Sequence, residues 1–208
     1  MVGKDTNSEG REDGLNRRDF LLYSASCLWG VLLGNGEHLL EAAPCRQPMI
    51  YKRFFQFTEY EKRPATECLV IHHTGIPGAD KDSTAADIHK FHQETNKWAG
   101  IGYHYLIRKD GTIEQGRQPN MVGAHAYEHN KTSIGVCLAG NFNIGKPARE
   151  QMSSVKDLCW WLCQKYELDP LKKGVIVGHR DLNDTDCPGK NLYKRLEEIR
   201  RFCYDRKS

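Results

Sequence analysis

The sequence predicts an α/β fold: a single domain with a mixed central β-sheet flanked by helices. Short apolar runs bounded by Gly, Pro and polar clusters alternate with stretches of helical periodicity from about Tyr51 to Cys203. One pair of runs is joined by Asp110-Gly111, a hairpin signal, and the others through helical segments, so parallel and antiparallel pairs should share one sheet. At 208 residues and 39% hydrophobic content, the chain can bury one core and has little left for another.

Taken in order, Cys68 to His72 reads as a strand between Pro64 and the turn Gly75-Ile76-Pro77-Gly78, which leaves His72 at its C-terminal end. Ser83 or Thr84 can cap a helix running to about Thr95, with Ile88, Phe91 and Thr95 along its inner face. Strands at Tyr103 to Lys109 and Thr112 to Arg117 flank a two-residue turn at Asp110-Gly111, and Ser133 to Ala139 supplies another strand. From about Ala148 to Tyr166, residues Met152, Val155, Leu158, Cys159, Leu162 and Cys163 recur at helical spacing, the mark of a long core helix. Gly174 to Gly178 is the next short strand. One amphipathic helix over Lys190 to Cys203 closes the domain on Leu192, Leu196, Ile199 and Phe202.

Residues 1–45 differ in composition from the rest. A polar stretch to Asn16 is followed by Arg17-Arg18-Asp19-Phe20-Leu21-Leu22 and a mostly apolar run to Leu33, the order of a twin-arginine (Tat) export signal. As a helix, Phe20 to Leu33 would rise only about 21 Å against a hydrocarbon core of roughly 30 Å, so no stable membrane span is expected in the mature form. Residues 46–65 read as linker and domain lead-in, and 66–204 as the domain itself. A net charge of +3, with Lys and Arg scattered, excludes nucleic acid as a partner.

The eight cysteines contain no C-x-x-C pair, so neither a zinc ribbon nor a thioredoxin-type motif is indicated. Cys159 and Cys163 share the buried stripe of the long helix and read as packing residues. Unpaired thiols agree with the export of an already folded chain; one disulfide through Cys45, Cys68 or Cys203 is the alternative.

Two segments about a hundred residues apart carry the chemistry: Ile71-His72-His73-Thr74, and Gly178-His179-Arg180-Asp181 followed by Cys187-Pro188-Gly189. His72, His179 and Cys187 offer two imidazoles and a thiol, the donor set of a zinc site that keeps a fourth position for water. The polar loop between His179 and Cys187 is long enough to bring both donors onto one ion. Such an ion lowers the pKa of its water toward about 7 and polarises a carbonyl, which is what amide hydrolysis requires.

These residues also carry a resemblance. Ile71-His72-His73-Thr74, Gly100-Ile101-Gly102-Tyr103-His104-Tyr105, Val122-Gly123-Ala124-His125-Ala126, Ser133-Ile134-Gly135-Val136-Cys137 and Gly178-His179-Arg180-Asp181 resemble, in family order, the zinc-dependent N-acetylmuramoyl-L-alanine amidases (amidase type 2). This is the type shared by a phage lysozyme and peptidoglycan recognition proteins. The resemblance implies a groove for peptidoglycan and hydrolysis, by zinc-activated water, of the amide between the muramoyl lactyl group and L-alanine. Carried over by position, His72, His179 and Cys187 become the Zn2+ ligands and Tyr103 the catalytic tyrosine. Thr185 stands where the phage type has a lysine and where active recognition proteins have a small hydroxyl residue, which makes it a second catalytic candidate. Non-catalytic recognition proteins of the family typically lack the cysteine ligand, and Cys187 is present here.

His73 and His125 are assigned to substrate binding, with hydrogen bonding around the metal as the other role open to them. Asp181 is a candidate to orient a zinc-bound imidazole. His104 should face the opposite side of the sheet from Tyr103 and take no part in catalysis. His89 and His92 read as solvated residues of a helix surface. The expected protein is thus an exported, monomeric cell-wall amidase, periplasmic or extracellular. A non-catalytic peptidoglycan-binding protein and a cytoplasmic muropeptide-recycling amidase are the alternatives.

Overall fold

A computed structural model describes residues 46–78 and 81–206. The export signal read over 1–45, together with Cys27 and Cys45, lies outside the described residues. The strands are β1 (Ile50–Lys52), β2 (Cys68–His73), β3 (Tyr105–Ile107), β4 (Ile113–Gln115), β5 (Ser133–Leu138) and β6 (Ile176–Gly178). The helices are α1 (Ala85–Glu94), α2 (Arg149–Lys165), α3 (Lys190–Tyr193) and α4 (Leu196–Asp205). No described helix is long and apolar enough to cross a membrane.

One sheet runs in the order β1-β4-β3-β5-β2-β6. Its antiparallel pair is β3 with β4, and its other pairs are parallel, the mixed arrangement that the hairpin and helix connections require. β2 has partners on both sides, and Leu69 to His73 are all buried. Because side chains alternate along a strand, β2 serves two cores at once. Leu69 and Ile71 join Ile134, Val136 and Leu138 of β5 and the apolar stripes of α2 and α4 in the larger cluster. Val70 and His72 pair with Gly135 and Cys137 of β5. Cys137 packs on that second side with Leu106, Ile101 and the α1 residues Ala85 and Ile88.

Thr84 caps α1 as its sequence suggests, with reciprocal bonds between Thr84 and the Asp87 amide and carboxylate. The inner face of α1 differs from expectation, however. Ala85, Ile88, His89 and His92 are buried, whereas Phe91 and Thr95 are exposed. The i, i+3, i+4, i+7 row is helical, but two of its members are imidazoles that a hydrophobic count passes over.

The closing helix is two helices, α3 and α4, broken at Lys194-Arg195, with no Gly or Pro at the break to announce it. The buried residue of its last turn is Cys203 instead of Phe202, whose ring lies under the Lys156 ammonium. The connection at Asp110-Gly111 is a three-residue loop. Arg108 and Thr112 close it, and Gly111 takes the left-handed conformation at φ +85°. Cys159 and Cys163 are packed in the core as expected, and the Cys68 and Cys203 thiols are free.

The stretch 46–65 does more than lead in, since β1 pairs with β4 at the sheet edge. Beside it Glu114 is 1% exposed. Its Oε1 accepts from Arg53 at 2.8 Å and its Oε2 from the Ala85 amide at 2.6 Å, so one carboxylate ties the edge strands to the start of α1. Glu114→Ala strands that amide in a buried setting. We expect it to lower the unfolding free energy by roughly 2–3 kcal/mol in urea titrations. A loss below about 0.5 kcal/mol, the range of ordinary surface changes, would contradict this account.

Candidate active site

The register Ile71↔Gly178 between β2 and β6 sets the ends of two parallel strands side by side. His72 therefore sits in the last turn of β2's ladder, and His179 opens a single 3-10 turn (His179–Asp181) directly after β6. The following loop folds back on itself. Its closure rests on the Arg180 amide donating to the Cys187 carbonyl at 2.8 Å and the Gly189 amide to the Asp186 carbonyl at 2.7 Å. Thr185 Oγ1 accepts from the Cys187 amide at 3.2 Å. Cys187 Sγ is thereby brought 3.5 Å from His72 Nδ1 and accepts from the His73 amide at 3.4 Å.

The donor atoms of His72, His179 and Cys187 lie within 4.8 Å of one another, close enough for one ion. No other such group of His, Cys, Asp and Glu occurs among the described residues. Burial, then the neighbouring imidazoles of His179, His73 and His104, holds His72 well below the usual histidine range, and burial also lowers His179. Both rings are neutral, as metal ligation requires. Burial pushes the Cys187 thiol up to about 12, against the pull of the His73 amide and Arg180. A thiolate in this position needs a cation beside it, and two neutral imidazoles with a buried thiol fit a zinc ion.

Each imidazole has its other nitrogen occupied. His72 Nε2 lies 3.0 Å from His125 Nδ1, and His179 Nε2 lies 3.0 Å from Asn183 Oδ1. Asn183 also donates to the Tyr127 carbonyl at 3.3 Å, which links the ligand loop to the segment carrying His125. Tyr103 flanks the group, its ring centroid 5.2 Å from that of His72. Burial, with the Cys137 and Cys187 thiols nearby, raises its pKa well above the usual phenol range. Its hydroxyl is therefore a hydrogen-bond donor throughout the physiological range.

A family model described as N-acetylmuramoyl-L-alanine amidase matches residues 61–190. The chain belongs to that amidase family. It is 33% identical to peptidoglycan-recognition protein LB of Drosophila melanogaster over 141 residues, which make up 65% of this chain and 60% of that protein. It is 32% identical to the endolysin of Klebsiella phage KP32 over 67% of this chain and 91% of the phage protein. The solved N-acetylmuramoyl-L-alanine amidase LysC of Clostridium intestinale URNW superposes with a TM-score of 0.66 at 35% identity, covering 74% of this chain and 97% of that one.

Several of this amidase-family chain's other histidines stand where the sequence did not lead. His89 and His92 are buried at 9% and 6% exposure, not solvated. Their Nδ1 atoms accept from the Ile101 and Gly102 amides at 3.2 and 3.0 Å, and so hold the backbone that leads into Tyr103. Arg117 holds the same segment through the Ile101 carbonyl at 2.7 Å and binds the Val122 carbonyl at 2.6 Å. His104 lies in a bend before β3, not on the strand, and its ring is 5.6 Å from that of His125. It belongs to the histidine cluster, where Nδ1 accepts from the Gly135 amide at 3.0 Å and Nε2 donates to the Met121 carbonyl at 2.8 Å.

Asp181 makes no hydrogen bond to an imidazole among the described residues; it accepts from the Gly178 amide at 2.8 Å and from the Tyr193 hydroxyl at 2.6 Å. Asn183 does the orienting instead. His73 Nδ1 accepts from the Phe142 amide at 3.1 Å, and the ring is 7% exposed. Asn130 is a further residue that no motif singles out: its Oδ1 accepts from the His125 and Ala126 amides at 2.8 and 3.0 Å.

His92 and His104 titrate at about 4 and about 3, chiefly because burial disfavours their charged forms. Below the ordinary histidine value of 6.5 the unfolded chain takes up protons that the folded chain refuses. Stability is thus unaffected above that value and falls as pH drops from it toward about 4. Urea titrations should show a loss of roughly 2 kcal/mol for each of these histidines between pH 6.5 and 5. His92→Asn, which keeps an acceptor for the Gly102 amide without a titrating ring, should flatten the slope. An unchanged midpoint across this window would contradict the assignment.

Proposed function

We propose that the chain is an exported zinc-dependent amidase that hydrolyses the bond between the lactyl group of N-acetylmuramic acid and L-alanine in peptidoglycan. The observation that carries this reading is the convergence of His72, His179 and Cys187 within 4.8 Å. The Tyr103 ring packed against His72 adds the donor such a reaction needs. The relatives support it: an endolysin and a solved amidase match along most of their own lengths. The Arg17 to Leu33 segment supports an extracytoplasmic address, where that substrate lies.

His72 and His179 would hold the ion through the nitrogens not bonded to His125 and Asn183, with Cys187 as the anionic ligand. A zinc ion there supplies a Lewis acid for the carbonyl and a nucleophile near neutral pH. Tyr103 remains protonated and donates its O–H to the oxygen on which charge develops. It is held in place before substrate arrives, so little reorganisation is needed during the reaction. Thr185, already accepting from the Cys187 amide, keeps its hydroxyl proton to offer to the bound peptide and fixes the ligand loop at the same time. No step is assigned to His73, whose Nδ1 accepts from the Phe142 amide, or to His125, both of whose ring nitrogens have side-chain partners.

Mass analysis of purified cell walls after incubation should show free stem peptides beginning with L-alanine. Tyr103→Phe should lower kcat roughly 10²–10³-fold at an unchanged melting temperature. Cys187→Ser should abolish both stoichiometric zinc and turnover. Unchanged walls with the protein bound to them would replace this reading by that of a peptidoglycan-binding protein.

A further inference from the structure

His125 has a seat built for it. A Cβ placed on Gly135 would lie 2.6 Å from His125 Cγ and Cδ2, and one placed on Gly123 would lie 2.5 Å from His125 Cδ2. Contacts that short do not occur, so both positions are closed to any side chain while this imidazole is present. Gly135 belongs to β5 and pairs with Val70, two residues before His72 on the same face of β2. The sheet therefore gives up side-chain volume beside its histidine donor to admit a ring.

The hydrogen bonds around that ring have a single direction. Ser133 is fully buried, and its hydroxyl donates to the His129 carbonyl at 2.7 Å. A hydroxyl has one proton, so toward His125 Nε2, 3.5 Å away, Ser133 Oγ can only accept. His125 then carries its proton on Nε2 and presents a lone pair at Nδ1, which lies 3.0 Å from His72 Nε2. That lone pair requires a proton on His72 Nε2. The bare nitrogen of His72 is consequently Nδ1, the atom 3.5 Å from Cys187 Sγ.

We propose that His125, seated between Gly123 and Gly135 and directed by Ser133, is a positioning residue that sets the tautomer of His72 and so readies its Nδ1 for the metal. This rests on the metal site of the proposed function but is testable apart from it, because the tautomer exists before any ion binds. The backbone takes part as well: Asn130 fixes the His125 amide at 2.8 Å and so holds the ring's point of attachment.

The direct measurement is long-range 1H–15N correlation of the imidazole nitrogens in metal-free wild-type protein. The expected spectrum has His72 and His125 both protonated on Nε2 and bare on Nδ1. Protonation of His72 on Nδ1 would overturn the proposal, with no variant needed. Zinc affinity, read by competition with a chromophoric chelator, gives the second test. His125→Leu should weaken zinc binding roughly 10–100-fold, and Gly135→Ala, which displaces the ring, by a similar factor. His125→Asn, whose amide oxygen can stand where Nδ1 stood, should restore affinity to within about threefold of wild type. Equal losses for the Leu and Asn variants would mean that the ring only fills space and would sink the idea. Failure of wild-type protein to bind zinc would instead count against the proposed function and leave the tautomer result standing.

Discussion

The register of β2 is the constraint on which the site depends. Its pairing with β5 and β6 places Ile71 opposite Gly178 and His72 opposite Cys137. A slip of one residue would turn every β2 side chain to the other face. It would drive His72 into the apolar cluster under α2 and α4 and carry Ile71 toward the imidazoles. Three apolar residues, Leu69, Val70 and Ile71, all fully buried, set the register by the burial they require on both faces. The donor positions follow: β6 ends at Gly178 opposite Ile71, so the next residue of each chain segment is a histidine, His179 after β6 and His72 in β2.

Around that frame six imidazoles are buried, those of His72, His73, His89, His92, His104 and His125. A neutral histidine offers one N–H and one lone pair, which lets it join two backbone groups or one backbone group and another ring. His104 connects the Gly135 amide to the Met121 carbonyl, and His89 and His92 each take a loop amide. The loops carrying Tyr103 and His125 are irregular, and several of their amides and carbonyls find side-chain partners in place of strand neighbours. Arg117 and Asn130 serve in the same way. The result is a set of loops tied to one another by buried hydrogen bonds, on which a preorganised site depends.

Much of this was legible along the chain. Thr84 with Asp87 announced the start of α1, the period of α2 its buried stripe, and the apolar run before His72 the strand that ends there. His72, His179 and Cys187 could be picked out because imidazole and thiol side chains next to Gly, Thr and Pro turns suit metal ligation, and the fold does gather them. The burial of His89 and His92 was not legible. A hydrophobic pattern counts imidazole as polar, and the amides that require them lie on another loop.

What the sequence determined by itself was therefore local and compositional: the element types, the two-sided apolar strand, the family to which its motifs belong and the identity of the donors. Tertiary structure decided the partnerships. It chose Asn183 over Asp181 beside His179, placed His104 within the histidine cluster and set His125 between two glycines. The physical reason is that a hydrogen bond depends on distances of a few tenths of an ångström between groups far apart in the chain. Periodicity and spacing carry no record of such distances; only the packed sheet and its loops do.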